Sequence, residues 1–231
     1  MMKYKKSVWL ILLLIVVFLA GCQQQPTPNT PEVPEVPVVK YSLLDETTAM
    51  EEGLPGLLDY VKNQQGFLIH TTDTKTYLII NMGEKPTGGF ALAVDSVGLV
   101  GGVLGVTLIE KSPKPGEAVT EALTYPQVVL IVDEDFSSVK VESDKETKFE
   151  ALDIVLKTDS GRYQALSDTF ELQIKISGVP NEIPAKVFAL TSLQESIVPQ
   201  MKLQLNTEVL FYYVERVDQL PIIVELSLLG K

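Results

Sequence analysis

Residues 66–82 read GFLIHTTDTKTYLIINM. Residues 66–71 and 76–82 are two runs rich in aliphatic and aromatic side chains, with Asp73 at a turn between them. That pattern predicts two β-strands rather than a helix. Working outward, Leu54, Leu57, Leu58 and Val61 fall at i, i+3, i+4 and i+7, one apolar face of a short helix. Pro55 suits its first turn and Gly66 is the expected stop. Downstream, residues 90–97 and 103–109 read as strands joined at Gly101-Gly102. Residues 127–132 form a continuous apolar run, suited to a strand covered on both faces. Residues 139–141 extend the series. Short strands broken by glycine and proline point to a sandwich or barrel rather than a parallel α/β sheet.

The composition changes at 142–148, ESDKETK, which holds no apolar residue. A domain boundary is expected there, with a second unit starting at Phe149. In that unit Phe170, Leu172, Ile174 and Ile176 alternate with Glu171, Gln173 and Lys175, the mark of a half-buried strand. Residues 187–190 are short and apolar. Residues 191–201 read as a helix capped by Thr191 or Ser192, with Glu195 in the first turn and Pro199 shortening its end. Residues 208–214 and 221–226 read as a strand pair with its turn at Asp218-Gln219. The unit is read as three strands, of which the first is not located, then a helix and two strands, the order of an OB-like five-stranded barrel. The expected fold is therefore mainly β: a sandwich- or barrel-like domain over 41–142, then a small OB-like barrel with one helix over 149–231.

Before both lies an address. Lys3, Lys5 and Lys6 precede a 13-residue uncharged run from Val8 to Ala20. A membrane span needs about 20 residues, whereas this length suits the apolar core of a secretion signal. Leu19-Ala20-Gly21-Cys22 follows and resembles the bacterial lipobox, which implies a signal peptide over 1–21, a lipid on Cys22 and a location outside the cytoplasm on the cell envelope. The stretch from Gln23 to Val39 has five prolines in 17 residues. It reads as a semi-rigid tether, within 22–40, of ~50 Å at ~3.1 Å per residue.

The chain has 231 residues, 45% of them apolar, enough for a real core. Its formal charge is −11, and the three leader lysines leave the remainder at −14. That sign opposes sequence-independent nucleic-acid binding. The unit from Phe149 is itself acidic, with 11 acidic and seven basic residues, so Tyr212 and Tyr213 read as packing residues and not as a base-stacking platform. A single cysteine excludes an internal disulfide or a cysteine-rich zinc site. A single histidine, His70, leaves little for metal or triad chemistry, and no G-x-S-x-G elbow presents a serine to it. Asp133-Glu134-Asp135 lacks EF-hand spacing and reads as a solvated turn. No catalytic residue, metal or cofactor is expected.

The motif that stands out is GEKPTGGF, 83–90. Lys85-Pro86 imposes an extended turn, Thr87 bonds back to the loop, and Gly88-Gly89 permits positive φ and leaves backbone amides uncovered. A rigid protruding loop ending at Phe90 is one expectation; a tight strand connection, in which Gly88 and Gly89 serve geometry and Phe90 is core, is the other. The lysine precedes the paired glycines, so this is no phosphate loop.

GEKPTGGF together with EKSPKPGEAVTEALTYPQVVLIV, 110–132, resembles the C-terminal domain of PrcB-like protease-complex subunits. The resemblance rests on Gly83, Lys85, Pro86, Thr87, Gly88 and Gly89, then Pro115-Gly116 and Tyr125-Pro126. The family carries tyrosine after the paired glycines; here Phe90 removes that hydroxyl. The resemblance implies a PrcB-like domain over 41–142 and a non-enzymatic accessory role, binding or stabilising a protease or other surface complex. Lys85, Pro86, Thr87, Gly88, Gly89, Phe90, Tyr125 and Pro126 are the implied protein-binding residues. Pro86-Thr87-Gly88-Gly89-Phe90 also resembles the Pro-Thr-Thr-Gly-Tyr loop of chagasin-like cysteine-protease inhibitors. The Arg-Pro-Trp loop of those inhibitors has no counterpart, since the sole tryptophan is Trp9 in the leader. Direct protease inhibition through 85–90 is one alternative; an envelope structural or cell-wall-binding role is another.

Overall fold

The computed structural model describes residues 39–45, 49–50 and 53–229. The expected leader, the expected lipid-attachment residue Cys22 and the expected tether up to residue 38 lie outside the described residues. Strand β1 (Tyr41–Leu43) is followed by helix α1 (Pro55–Val61) and the hairpin of β2 (Gln65–Thr71) and β3 (Thr76–Met82). The turn between β2 and β3 forms because Thr72 closes it. Its N–H donates to the Lys75 carbonyl at 2.9 Å, and its hydroxyl accepts from Lys75 N–H at 3.2 Å. Then come β4 (Ala91–Val100), β5 (Val103–Lys111), β6 (Gln127–Val132), β7 (Ser138–Ser143) and the two-residue β8 (Lys148–Phe149). They make two four-stranded sheets, ordered β1-β6-β3-β2 and β4-β5-β7-β8.

The first sheet is covered on both faces, and that explains its unbroken apolar runs. In β3, Leu78 and Ile80 point into the core shared with the second sheet, alongside Leu104, Val106, Leu108 and Leu130. Their neighbours Tyr77 and Ile79 point the other way, against α1 and two strands of the barrel. The period-2 geometry of a strand sends successive residues to opposite faces, so both parities must be apolar when both faces are buried. Each fully buried large side chain contributes on the order of 2 kcal/mol.

The second unit is a closed barrel of β9 (Leu156–Leu166), β10 (Glu171–Ile176), β11 (Lys186–Leu190), β12 (Glu208–Val214) and β13 (Ile222–Leu228). Its strands follow one another around the barrel as β10-β11-β13-β12-β9, with β11 and β13 parallel. This is the expected OB-like arrangement. Phe188, Phe211 and Tyr213 fill it, with ring centroids 5.1–5.7 Å apart. Helix α2 (Ser192–Ile197) lies between β11 and β12. Thr191 caps it by accepting from Gln194 N–H at 3.2 Å, and a 3₁₀ turn, Val198–Met201, takes over at Pro199. Val198 enters the barrel core, and Met201 packs against it. Tyr213 belongs to that core and Tyr212 packs against the interface with the first sheet, so both are packing residues.

Two expectations need correction. The charged run 142–148 is the hairpin joining β7 and β8, not a domain boundary. The Ser143 hydroxyl accepts from Lys145 N–H at 3.2 Å and Thr147 N–H at 3.3 Å, and Phe149 pairs with Val141 and sits in the sandwich core. The barrel begins only at Leu156. Charge measured solvent exposure there, which a tight turn has as much as a linker. Nor does Gly66 stop α1. It lies inside β2, where a Cβ would come within 2.5 Å of the Glu150 carbonyl, because the chain leaving β8 runs against β2. Phe67 N–H donates to Glu150 O at 2.9 Å, and Leu152 N–H donates back to Phe67 O at 2.8 Å. The last carbonyls of α1 are held instead by side chains and by Gln64 N–H, which donates to Val61 O at 3.0 Å. Asn81 Nδ2 donates to Val61 O at 3.1 Å, and Gln127 Nε2 reaches Leu58 O at 3.4 Å and Asn81 Oδ1 at 2.5 Å.

Candidate functional site

The segment from Gly83 to Phe90 carries the chain from β3 in the first sheet to β4 in the second. The segment from Ser112 to Pro126 makes the reverse crossing, from β5 to β6. Because β3 neighbours β6 and β4 neighbours β5, the two crossings lie together at one end of the sandwich. They are bonded to each other along their length. Lys85 and Thr124 exchange both backbone bonds, at 2.9 and 3.0 Å. Gly88 N–H donates to Thr120 O at 2.9 Å, and the Thr124 hydroxyl donates to Thr87 O at 2.7 Å. Met82 N–H donates to Pro126 O at 2.9 Å.

This arrangement revises the expected free loop. The Gly88 amide is occupied by Thr120, so it is not an uncovered donor. Gly89 has φ +86°, and a Cβ there would lie 3.1 Å from Pro113 and 3.2 Å from Val119. The paired glycines therefore let two loops approach, rather than opening a nest for a ligand. Phe90 is half-buried, whereas Pro86 and Gly89 are exposed at the surface. The exposed large apolar group of the lobe is Leu123, 55% accessible, a residue not singled out from the sequence. Its neighbours Glu121 and Ala122 are also exposed. No spacing rule marks Leu123; only the bridge at Lys85 and Thr124 brings it beside the glycine loop.

Tyr125 ties the lobe to α1. Its hydroxyl donates to the Glu84 carboxylate at 3.2 Å, and Lys62 Nζ sits 5.0 Å from its ring centroid. Desolvation and the adjacent Glu84 push the phenol above its usual value. The ring also lines a polar cleft of about 460 Å³ with Asp59, Lys62, Asn63, Thr191 and Ser192, between α1 and the start of α2. The structure thus brings Lys85, Pro86, Thr87, Gly88, Gly89, Phe90, Tyr125 and Pro126 into one lobe, with Tyr125 facing the barrel side.

The other sequence candidates are placed elsewhere. His70 stacks on Tyr77 at 6.0 Å and meets the edge of Tyr212 at 5.8 Å, and burial lowers its pKa below 6.5. Asp133, Glu134 and Asp135 are exposed, with Asp133 3.7 Å from Lys40. Among the described residues no group of three His, Cys, Asp or Glu side chains is disposed to hold a metal.

Residues 76–133 match the family model described as PrcB C-terminal. The match runs from the start of β3 to just past β6 and so contains both crossing loops; it leaves out α1, β2 and the barrel. A PrcB-like segment is therefore present in the sandwich. No curated protein and no solved structure matches the chain.

Proposed function

We propose that this chain is a non-enzymatic accessory protein, lipid-anchored through Cys22 on the outer side of a bacterial membrane, which binds or stabilises a protease or another surface complex. The observation that carries the reading is the coincidence of the PrcB C-terminal match with the stitched double-loop lobe. A pre-bonded lobe loses little conformational entropy on docking, which favours protein recognition by shape. The net charge of −14 beyond the leader works against bulk attraction to anionic surfaces. The lipobox-like Leu19-Ala20-Gly21-Cys22 and the proline-rich stretch behind it support a head held off a membrane.

The test is a cross-linking capture from native membranes with the full chain as bait. A Gly88→Asp, Gly89→Asp, Phe90→Ala variant runs beside it. Capture of a protease or its partner by the parent alone, with a longer protease lifetime and unchanged turnover, is the expected result. Lower turnover on adding the protein would favour direct inhibition. Equal capture by both baits would remove the lobe from the reading. Cys22→Ala, followed by metabolic lipid labelling, tests the anchor independently.

A further inference from the structure

Strand β4 is the outermost strand of the second sheet, with β5 on one side and, among the described residues, no strand on the other. It is ten residues long, ALAVDSVGLV. Beyond its pairing with β5, none of its residues makes a backbone hydrogen bond among the described residues. Its inner side chains, Leu92, Val94, Val97 and Leu99, pack on the sandwich core. Its outer side chains, Ala93, Ser96, Gly98 and Val100, are small or apolar. Edge strands this long are usually shortened, covered or charged, since they offer a row of unmet donors and acceptors.

The one charge on this edge is Asp95. It is the extra residue of a bulge, since Val94 pairs with Leu108 and Ser96 with Thr107. Asp95 is exposed and has no ion-pair partner among the described residues. Its place at the middle of the strand decides which occupant fits. A second copy laid antiparallel along the whole edge would bring the two Asp95 carboxylates together, and both chains carry the same large negative charge. A strand from another protein with a lysine or arginine facing Asp95 meets the opposite sign while satisfying the same backbone groups.

We propose that β4 is a strand-addition edge, which takes an extended segment of a different protein bearing a basic residue opposite Asp95. The strand begins directly after Phe90, so this surface continues from the double-loop lobe. The inference extends the partner-binding reading, and its test needs neither the lobe nor the natural partner.

The experiment measures amide hydrogen exchange of the full chain in detergent micelles. Two short blocked peptides are added at millimolar concentration, both alternating threonine and valine, one with a central lysine and one with a central glutamate. The expected result is slowed exchange in β4 with the lysine peptide, about fivefold tighter than with the glutamate peptide. Asp95→Lys should invert that preference while exchange in β5 and the barrel stays unchanged. Protection of β4 that ignores peptide charge would overturn the proposal. So would no protection with either peptide, or protection that rises with protein concentration alone, which would make a second copy the occupant. Loss of capture in the loop variant with this preference intact would separate the lobe from the edge.

Discussion

Glu225, on barrel strand β13, accepts a hydrogen bond from the Gly56 backbone N–H at 3.0 Å. Gly56 lies in the first turn of α1, so a carboxylate from one unit caps the helix of the other. The contact spans 169 residues of chain and sits beside a shared apolar cluster of Leu54, Leu57, Val61, Tyr77, Ile79, Val214 and Val224. The OB-like barrel is thus docked on the sandwich through α1, not merely appended to it.

Burial raises the Glu225 pKa above its ordinary 4.5, and the bonds from Gly56 and Leu226 only partly oppose this. The folded protein therefore binds this proton more tightly than the unfolded chain. The stability tied to that proton is complete below pH 4.5 and is lost as pH rises through the higher folded value. Glu225→Gln keeps an acceptor for Gly56 but cannot ionise. The expected outcome is that the parent's melting temperature, measured relative to Glu225→Gln, falls between pH 4.5 and neutrality. A flat difference across that range would refute the assignment.

Gly56→Ala tests how closely the units approach. An added Cβ would lie 1.5 Å from the Val224 carbonyl oxygen, a backbone atom that cannot swing aside. The substitution should cost about 3 kcal/mol in denaturant unfolding and should speed exchange in α1. Gly105→Ala, where the nearest atom is 3.8 Å away, should change stability by less than ~0.5 kcal/mol.

Asn81 is fully buried and bonds the end of α1 to β3 and β6. Asn81→Ala leaves the Val61 carbonyl and the Gln127 amide without that partner, at a cost of about 2 kcal/mol. Calorimetry of the single variant and of Asn81→Ala with Gln127→Ala should show non-additive losses, because the two side chains share one network.

Thr124→Val removes the 2.7 Å bond from its hydroxyl to the Thr87 carbonyl but keeps the side-chain shape. The global effect should be about 1 kcal/mol. The local effect should be larger in proportion: faster exchange at Gly88 and Lys85, with the barrel unchanged. If the rigidity of the lobe serves binding, capture of a partner should weaken with it.

The strands around residues 66–82 were legible because runs of β-branched and aromatic side chains report local geometry, and four of the five barrel strands and their helix were legible in the same way. The longest strand, β9, carries no apolar run or alternation that marks it as a strand. Its sequence LKTDSGRYQAL is polar, and only Gly161 and a few neighbours turn inward. The loop motif around Lys85 to Phe90 was found, but its partner surface was not, since Thr120 and Leu123 sit more than 30 positions away in a stretch without a periodic signal.

From local sequence alone follow the mainly β character of the chain, the apolar strand over 127–132 suited to burial on both faces, and a helix capped at Thr191 or Ser192. These properties depend on neighbours within a few residues, where side-chain type and backbone preference act directly. Tertiary structure alone decided that ESDKETK is a turn and not a boundary, that Gly88 gives its amide to Thr120, and that Glu225 reaches Gly56. Each of those depends on which distant backbone groups are left unpaired once the sheets have formed, and no local pattern encodes that.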